Sequence, residues 1–238
     1  MIYFPQQTSR AAWTPGGLAA WPSADDPRGL VASPDGPVHA TAVVFHGNAG
    51  HAGQRAMYAE RLSRVGLRTI LAEYPGYGAR EGSPGEAAIV ADAVRTLELA
   101  AHEAGAPLVV IGESLGSGVA AAAAAQVPDR VAGLILFTPW DRLEHVAAYH
   151  YPWLPVRWLL REHYDSVAHL AGLGKPVWVA VAERDEVVPA ELGVALHAGL
   201  REPRRLLVMQ GAGHNDWWSQ MDEARWQDAL DFVLGAAQ

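Results

Sequence analysis

Leu108-Val-Val-Ile-Gly-Glu-Ser-Leu-Gly116 places a serine, Ser114, between two glycines directly after a short apolar run. The small residues that follow, Ser117 to Ala125, favour a helix. A G-x-S-x-G sequence between a strand and a helix is typical of a sharp turn that exposes a nucleophilic serine, and the glycines avoid collisions with the strained backbone. The alternative is that Ser114 is an ordinary turn residue before a helix.

The remainder of the chain alternates short apolar runs with longer segments of helical period. Runs that are apolar on both faces are typical of strands in a parallel sheet covered by helices. Residues 1–40 are rich in Pro, Gly, Asp and Ser and predict edge strands and turns. We therefore predict an α/β fold with a mostly parallel central sheet flanked by helices, and one domain over residues 1–238. The expected core strands are the apolar runs 42–45, 69–72, 108–111, 131–137, 177–182 and 206–209.

Two further loops with polar side chains follow predicted strands. Asp185 comes just after the apolar run 177–182, and His214 lies in Gly211-Ala-Gly-His214 after the last apolar run. Parallel sheets place ligands beyond the carboxyl ends of their strands, and the order serine, acid, histidine is the order expected for such a triad. Asp185 is the candidate partner for the His214 ring, with Glu183 and Glu186 as rivals.

The loop His46-Gly-Asn-Ala-Gly50 follows the predicted strand 42–45. Acyl transfer needs two backbone N–H groups aimed at the oxygen that becomes negatively charged. We expect one donor from Leu115, the residue after the nucleophile, and the other from Asn48. Ala49 is an alternative second donor, and a merely flexible turn is the alternative for the whole loop.

Composition excludes several classes of function. The formal charge of −8 and pI near 5.6 give no reason to expect nucleic-acid binding. The chain has no cysteine, no dinucleotide or phosphate-loop fingerprint, and no histidine pair at the spacing of a helical metal site, so we expect no cofactor and no metal. No apolar run approaches the roughly 20 residues of a membrane span, and the start does not resemble a secretory signal. We expect a cytoplasmic protein, of unknown oligomeric state.

The long connection between the sixth and seventh strands predicts a short lid, at about residues 139–175. Two of its tryptophans, Trp153 and Trp158, are expected to pack inside the lid. Ligand pockets are mostly lined by hydrophobic groups. The candidate pocket residues are Trp140, Trp217 and Tyr77.

Together these motifs resemble the α/β-hydrolase superfamily, and within it the Bem46/YfhR-like group of small serine hydrolases that includes the ABHD13-type proteins. The matching stretches extend from residue 45 to residue 216. The resemblance implies a hydrolase of small-molecule esters or thioesters with Ser114, Asp185 and His214 as catalytic residues. An amidase or acyltransferase would share the same residues, and a non-catalytic binding protein on the same scaffold is the third alternative.

Overall fold

A computed structural model describes residues 2–235 of the chain. Eight strands within these residues form one sheet: β1 (Ala19–Trp21), β2 (Gly29–Ala32), β3 (Ala40–Phe45), β4 (Leu67–Ala72), β5 (Leu108–Glu113), β6 (Val131–Phe137), β7 (Val177–Ala182) and β8 (Arg204–Met209). Their order in the sheet is β8-β7-β6-β5-β3-β4-β2-β1. Strands β3 to β8 pair in parallel, whereas β1 and β2 add antiparallel strands at one edge. The predicted fold class and the edge strands of the first forty residues are confirmed.

Helices cover both faces of the sheet. The helices are α1 (Arg10–Trp13), α2 (Ala56–Ser63), α3 (Glu86–Ala104), α4 (Leu115–Gln126), α5 (Leu143–His150), α6 (Val156–Leu159), α7 (Ser166–Leu170), α8 (Ala190–Gly199) and α9 (Glu223–Gly235). Alternate residues of each strand face opposite sides of the sheet. In β3, Val43 and Phe45 therefore join one buried cluster with α3 and α4, while Ala42 and Val44 join another with α2 and α9. This explains why the core strands are apolar throughout.

Helix α4 is buried along nearly its whole length, which explains its composition. It lies between the sheet, α3 and α7, and the run Ala120–Ala124 is almost completely inaccessible to solvent. Small side chains let the helix axis approach its neighbours closely. A Cβ added at Gly118 would lie 3.2 Å from the Tyr164 side chain and 3.3 Å from that of Trp140.

The segment that joins β6 to β7 contains the three short helices α5, α6 and α7. Its last part is packed, since Tyr164 and Ser166 are buried. The expectation that Trp153 and Trp158 pack inside this segment is wrong, because the two side chains are 73% and 76% exposed. Prolines 152 and 155 lie between α5 and α6, where they prevent one continuous helix, and residues 149–155 are all exposed. Whether the segment acts as a lid stays a prediction.

The turn between β5 and α4 depends on contact with the end of β3. A Cβ added at Gly116 would lie 2.0 Å from the carbonyl oxygen of Phe45 and 2.7 Å from that of His46. Both neighbours are backbone atoms, so no side-chain rotation can relieve the collision. The glycine therefore holds α4 against the loop that follows β3.

We predict that Gly116→Ala lowers the free energy of unfolding by about 3 kcal/mol, since the buried backbone must shift to accept the methyl group. Gly172→Ala is the matched control, because a Cβ there would meet nothing within 4 Å. Urea unfolding of both variants measures the difference. Equal stability of Gly116→Ala and the wild type would show that the close approach at this turn is not required.

Candidate active site

Ser114 lies at the turn between β5 and α4 in a strained backbone conformation. Its φ is 52° and its ψ is −116°, a region that side chains other than glycine rarely adopt. The backbone is held by a bond of 3.0 Å from Ser114 N–H to the carbonyl oxygen of Phe137, at the end of β6. Residue 114 is 8% exposed. The predicted strand–turn–helix arrangement is thus present, with Ser114 at the carboxyl end of the sheet.

His214 and Asp185 lie together beyond the ends of β8 and β7. The His214 Nδ1 atom is 2.7 Å from Asp185 Oδ2. The other oxygen, Asp185 Oδ1, accepts hydrogen bonds from the N–H groups of Val187 (2.8 Å) and Val188 (2.7 Å). Both side chains are largely buried, with exposed fractions of 14% for His214 and 1% for Asp185. The carboxylate is therefore oriented by its own loop while it contacts the ring.

The loops that carry these two residues are bonded to each other. Arg184 N–H donates to the carbonyl oxygen of Ala212 (2.8 Å), and Gly211 N–H donates to Glu183 Oε2 (2.7 Å). The side chain of Glu183, one of the two rival acids, thus accepts a hydrogen bond from the backbone of the histidine loop. Of the acids in this loop, Asp185 is the one that contacts the His214 ring.

The Ser114 hydroxyl lies outside this hydrogen-bonded pair. Across residues 2–235, no hydrogen bond joins it to His214. The loop after β3 does approach the serine, since a Cβ added at Gly47 would lie 3.6 Å from Ser114 Cβ. Leu115 is the first residue of α4, so its N–H has no acceptor within the helix and faces the beginning of that helix. The predicted oxyanion donors therefore belong to two segments that adjoin Ser114.

The Asn48 side chain makes contacts that the sequence did not reveal. Its side-chain Oδ1 accepts from Phe4 N–H (3.1 Å) and from the Tyr77 hydroxyl (2.9 Å), and its Nδ2 donates to the carbonyl oxygen of Ile2 (2.6 Å). Phe4 and Pro5 also pair in parallel with Ala49 and Gly50. The first residues of the chain are thus attached to the predicted oxyanion loop. No local motif signals a contact over this sequence separation.

The buried carboxylate of Glu73 also holds the loop after β3, through His46. Glu73 Oε1 is 2.8 Å from His46 Nε2, and Glu73 Oε2 accepts from Ala52 N–H (2.9 Å) and Trp13 Nε1 (2.8 Å). Burial raises the pKa of the Glu73 carboxyl, but His46 and these donors outweigh it, so the pKa lies below its ordinary value. Glu73 thus joins the end of α1 and the start of the 52–55 turn to the loop after β3.

The ion pair between Arg55 and Glu113 lies directly beside Ser114. Arg55 Nε and Nη2 donate to the two oxygens of Glu113 at 3.0 and 2.9 Å, and the Tyr58 hydroxyl donates to Glu113 Oε2 at 3.3 Å. Burial lowers the pKa of Arg55, but the Glu113 carboxylate outweighs it, and the net pKa is raised. This bidentate pair holds the residue that precedes Ser114. The sequence shows the acid in the motif but not its partner.

The three predicted pocket residues are all buried. Tyr77 bonds to Asn48, and Trp140 packs beside Gly118 of α4. Trp217 stacks on Phe137 with ring centroids 4.2 Å apart, in the core cluster that includes α9. Each therefore has a packing role, and contact with a substrate stays a prediction.

A family model described as serine aminopeptidase, S33, matches residues 36–166, which is more than half of the chain. The chain belongs to this family of α/β-hydrolases. The matched region contains the predicted oxyanion loop and the Ser114 turn, whereas Asp185 and His214 follow it.

Curated relatives agree with this membership. The chain is 41% identical over 177 residues to the uncharacterized protein Rv2307c of Mycobacterium tuberculosis, covering 73% of this chain and 62% of that one. It is 31% identical to lysophosphatidylserine lipase ABHD12 of Danio rerio (67% and 47% covered) and 31% identical to protein bem46 of Schizosaccharomyces pombe (63% and 52% covered). The predicted resemblance to the Bem46-like group is confirmed. The chain spans less than two thirds of the length of each of these relatives.

A solved structure shows the same fold. Est1E from Butyrivibrio proteoclasticus, with ferulic acid bound, superposes with a TM-score of 0.71 at 19% identity and covers 91% of this chain and 95% of that one. In the part of the chain that the structure describes, no helix combines the length and the apolar character needed to cross a bilayer.

We predict that Glu73→Gln destabilises the fold by about 3 kcal/mol near neutral pH, because it leaves a buried network without its charge. The folded-state pKa of Glu73 lies below the ordinary value of 4.5. The charged carboxylate therefore stabilises the fold above that value, and this contribution is lost as the pH falls through the folded-state pKa.

The difference between wild type and variant should accordingly shrink between about pH 7 and about pH 3.5 in urea unfolding. Glu60→Gln is the control, because its pair with Arg64 is exposed and contributes about 0.5 kcal/mol or less. A difference that stays constant or grows on acidification would contradict this role for Glu73.

Proposed function

We propose that the protein is a serine hydrolase that cleaves carboxylic esters or thioesters through Ser114, His214 and Asp185. The observation that carries the proposal is the 2.7 Å contact between His214 Nδ1 and Asp185 Oδ2, beyond the same sheet edge at which Ser114 occupies a strained turn. A carboxylate that accepts the Nδ1 proton leaves Nε2 as the basic nitrogen. Family membership and the lipase name of a 31%-identical relative support the same chemistry.

In the first half of the reaction, Ser114 forms a covalent acyl-enzyme. His214 Nε2 takes the proton of the Ser114 hydroxyl as the oxygen attacks the carbonyl carbon of the ester. The carbonyl oxygen becomes an oxyanion, which accepts hydrogen bonds from Leu115 N–H and Asn48 N–H. When the tetrahedral intermediate collapses, His214 gives its proton to the departing alcohol or thiol.

In the second half, water replaces the alcohol. His214 Nε2 removes a proton from water, the hydroxide attacks the acyl carbon, and the same two N–H groups stabilise the second oxyanion. The carboxylic acid leaves and the proton returns to Ser114. Asp185 stays ionised throughout, and it holds the ring and stabilises the imidazolium.

The reaction requires Ser114 and His214 to come within hydrogen-bonding distance. Side-chain rotation at Ser114 about its Cα–Cβ bond costs little, whereas its backbone is held by Phe137. Catalytic hydrogen bonds commonly tighten only when substrate is bound. We therefore infer that movement of the Ser114 side chain and of the His214 loop brings the two groups together.

We predict that a fluorophosphonate probe labels the protein at Ser114 and that Ser114→Ala abolishes both labelling and ester hydrolysis, because only an activated serine reacts. Ser166→Ala is the matched control, since the Ser166 hydroxyl is also buried but has no hydrogen-bond partner. Intact-mass spectrometry and a panel of p-nitrophenyl esters, thioesters and amides provide the readouts. Persistent hydrolysis by Ser114→Ala would refute the proposal, and absence of labelling in the wild type would favour a non-catalytic binding protein.

We predict that Asp185→Asn lowers kcat by roughly 10⁴-fold while the fold is retained, because an amide no longer orients the ring with Nε2 unprotonated. Glu183→Gln and Glu186→Gln should stay within a few-fold of wild type, since neither side chain contacts the ring. Steady-state kinetics on the ester that the panel identifies measures all three. A large loss in either glutamate variant with a small loss in Asp185→Asn would reassign the acid.

A further inference from the structure

The β6–β7 segment exposes an unusual concentration of large apolar side chains. We define the aromatic patch as the six exposed large apolar residues of α5, α6 and the turn between them: Tyr149, Tyr151, Trp153, Leu154, Trp158 and Leu159. Single exposed apolar residues are normal on proteins, whereas several large ones concentrated in one short segment indicate a surface that meets another apolar phase. These residues account for more than half of the strongly exposed large hydrophobic side chains of the described residues.

The charged side chains interspersed with and next to the aromatic patch, within residues 149–161, are both arginines. Residues 149–161 contain two arginines, Arg157 and Arg161, and no aspartate or glutamate. The whole chain, in contrast, has 26 acidic and 18 basic residues. Both arginines are exposed, and the Arg157 guanidinium carbon lies 4.9 Å from the centre of the Trp158 ring. Cationic groups thus lie among the aromatic rings in an otherwise acidic protein.

The aromatic patch adjoins the candidate active site. His150 Nε2 is 2.8 Å from the carbonyl oxygen of Val187, and Val187 N–H donates to Asp185 Oδ1. The Val187 side chain is itself 43% exposed and extends the apolar surface toward the acid loop. A surface that binds the patch would therefore lie next to the loop that orients His214.

We propose that the aromatic patch docks the protein onto an anionic lipid surface. Tryptophan and tyrosine favour the boundary between acyl chains and water, leucine inserts below them, and arginine side chains bind lipid phosphates. A symmetric contact between two copies is less favourable, because both copies would bring arginines and no acidic side chain of residues 149–161 to the interface. Docking itself does not depend on Ser114. The further step, in which docking brings a lipid-borne ester to the candidate active site, rests on the proposed function.

The test is vesicle flotation of the full chain carrying Ser114→Ala, so that binding is measured without hydrolysis. Vesicles of phosphatidylcholine mixed with phosphatidylglycerol should carry the protein, and Trp153→Ser/Trp158→Ser should weaken binding by roughly tenfold or more. Both tryptophans are exposed, so the double variant should fold normally. Val38→Ser/Val194→Ser is the matched control, since these valines are 50% and 40% exposed and lie outside the patch.

Arg157→Gln/Arg161→Gln should reduce binding to the mixed vesicles more than binding to phosphatidylcholine alone. Absence of binding by the parent protein, or equal binding by the tryptophan variant and the valine control, would overturn the proposal. Concentration-dependent dimerisation that the tryptophan substitutions abolish, without vesicle binding, would instead assign the patch to contact between copies.

Failure of the proposed function gives a different result. With Ser114 present, the tryptophan variant should hydrolyse a short water-soluble ester as fast as wild type and lose activity only on esters embedded in vesicles. If Ser114 is not the nucleophile, ester hydrolysis persists in Ser114→Ala, while the flotation result still decides the docking proposal.

Discussion

The site depends on the close contact between the Ser114 turn and the end of β3. Gly116 packs against the Phe45 and His46 carbonyl groups, where no side chain fits, and this contact keeps α4 beside the loop after β3. The positive φ of Ser114 persists because its surroundings hold it: Phe137 accepts its N–H, and Ser117 N–H donates to its carbonyl oxygen at 2.8 Å. The strained turn thus brings a serine, the first N–H of a helix and a second loop to one place.

Two polar networks prevent these loops from relaxing. Glu73 accepts from His46, Trp13 and the backbone of the 52–55 turn, and Arg55 holds Glu113 next to the serine. On the other side, the Asp185 and His214 loops are joined through their backbones. Buried polar groups that are fully bonded favour a single arrangement, because any alternative would leave some of them unpaired. These hydrogen bonds therefore offset the free-energy cost of the strained Ser114 backbone.

The sequence predicted the sheet, the Ser114 turn and the α/β-hydrolase membership, since strand periodicity and the G-x-S-x-G sequence are local signals. It did not predict the attachment of Ile2 and Phe4 to Asn48 or the Arg55–Glu113 pair, because these contacts join residues far apart in the chain. It was wrong about Trp153 and Trp158, since an aromatic side chain in a connection gives no sign of which way it faces. The one-domain organisation, the pocket residues and the cytoplasmic location stay predictions.

The proposed mechanism requires the Asp185–His214 pair to activate the Ser114 hydroxyl. A crystal structure of the fluorophosphonate adduct would show this arrangement directly. We expect phosphorus bonded to Ser114 Oγ, His214 Nε2 within about 3.2 Å of an adduct or serine oxygen, and the phosphoryl oxygen at about 3 Å from the N–H groups of Leu115 and Asn48. An adduct on another residue, or an adduct at Ser114 with the His214 ring turned away from it, would contradict this mechanism.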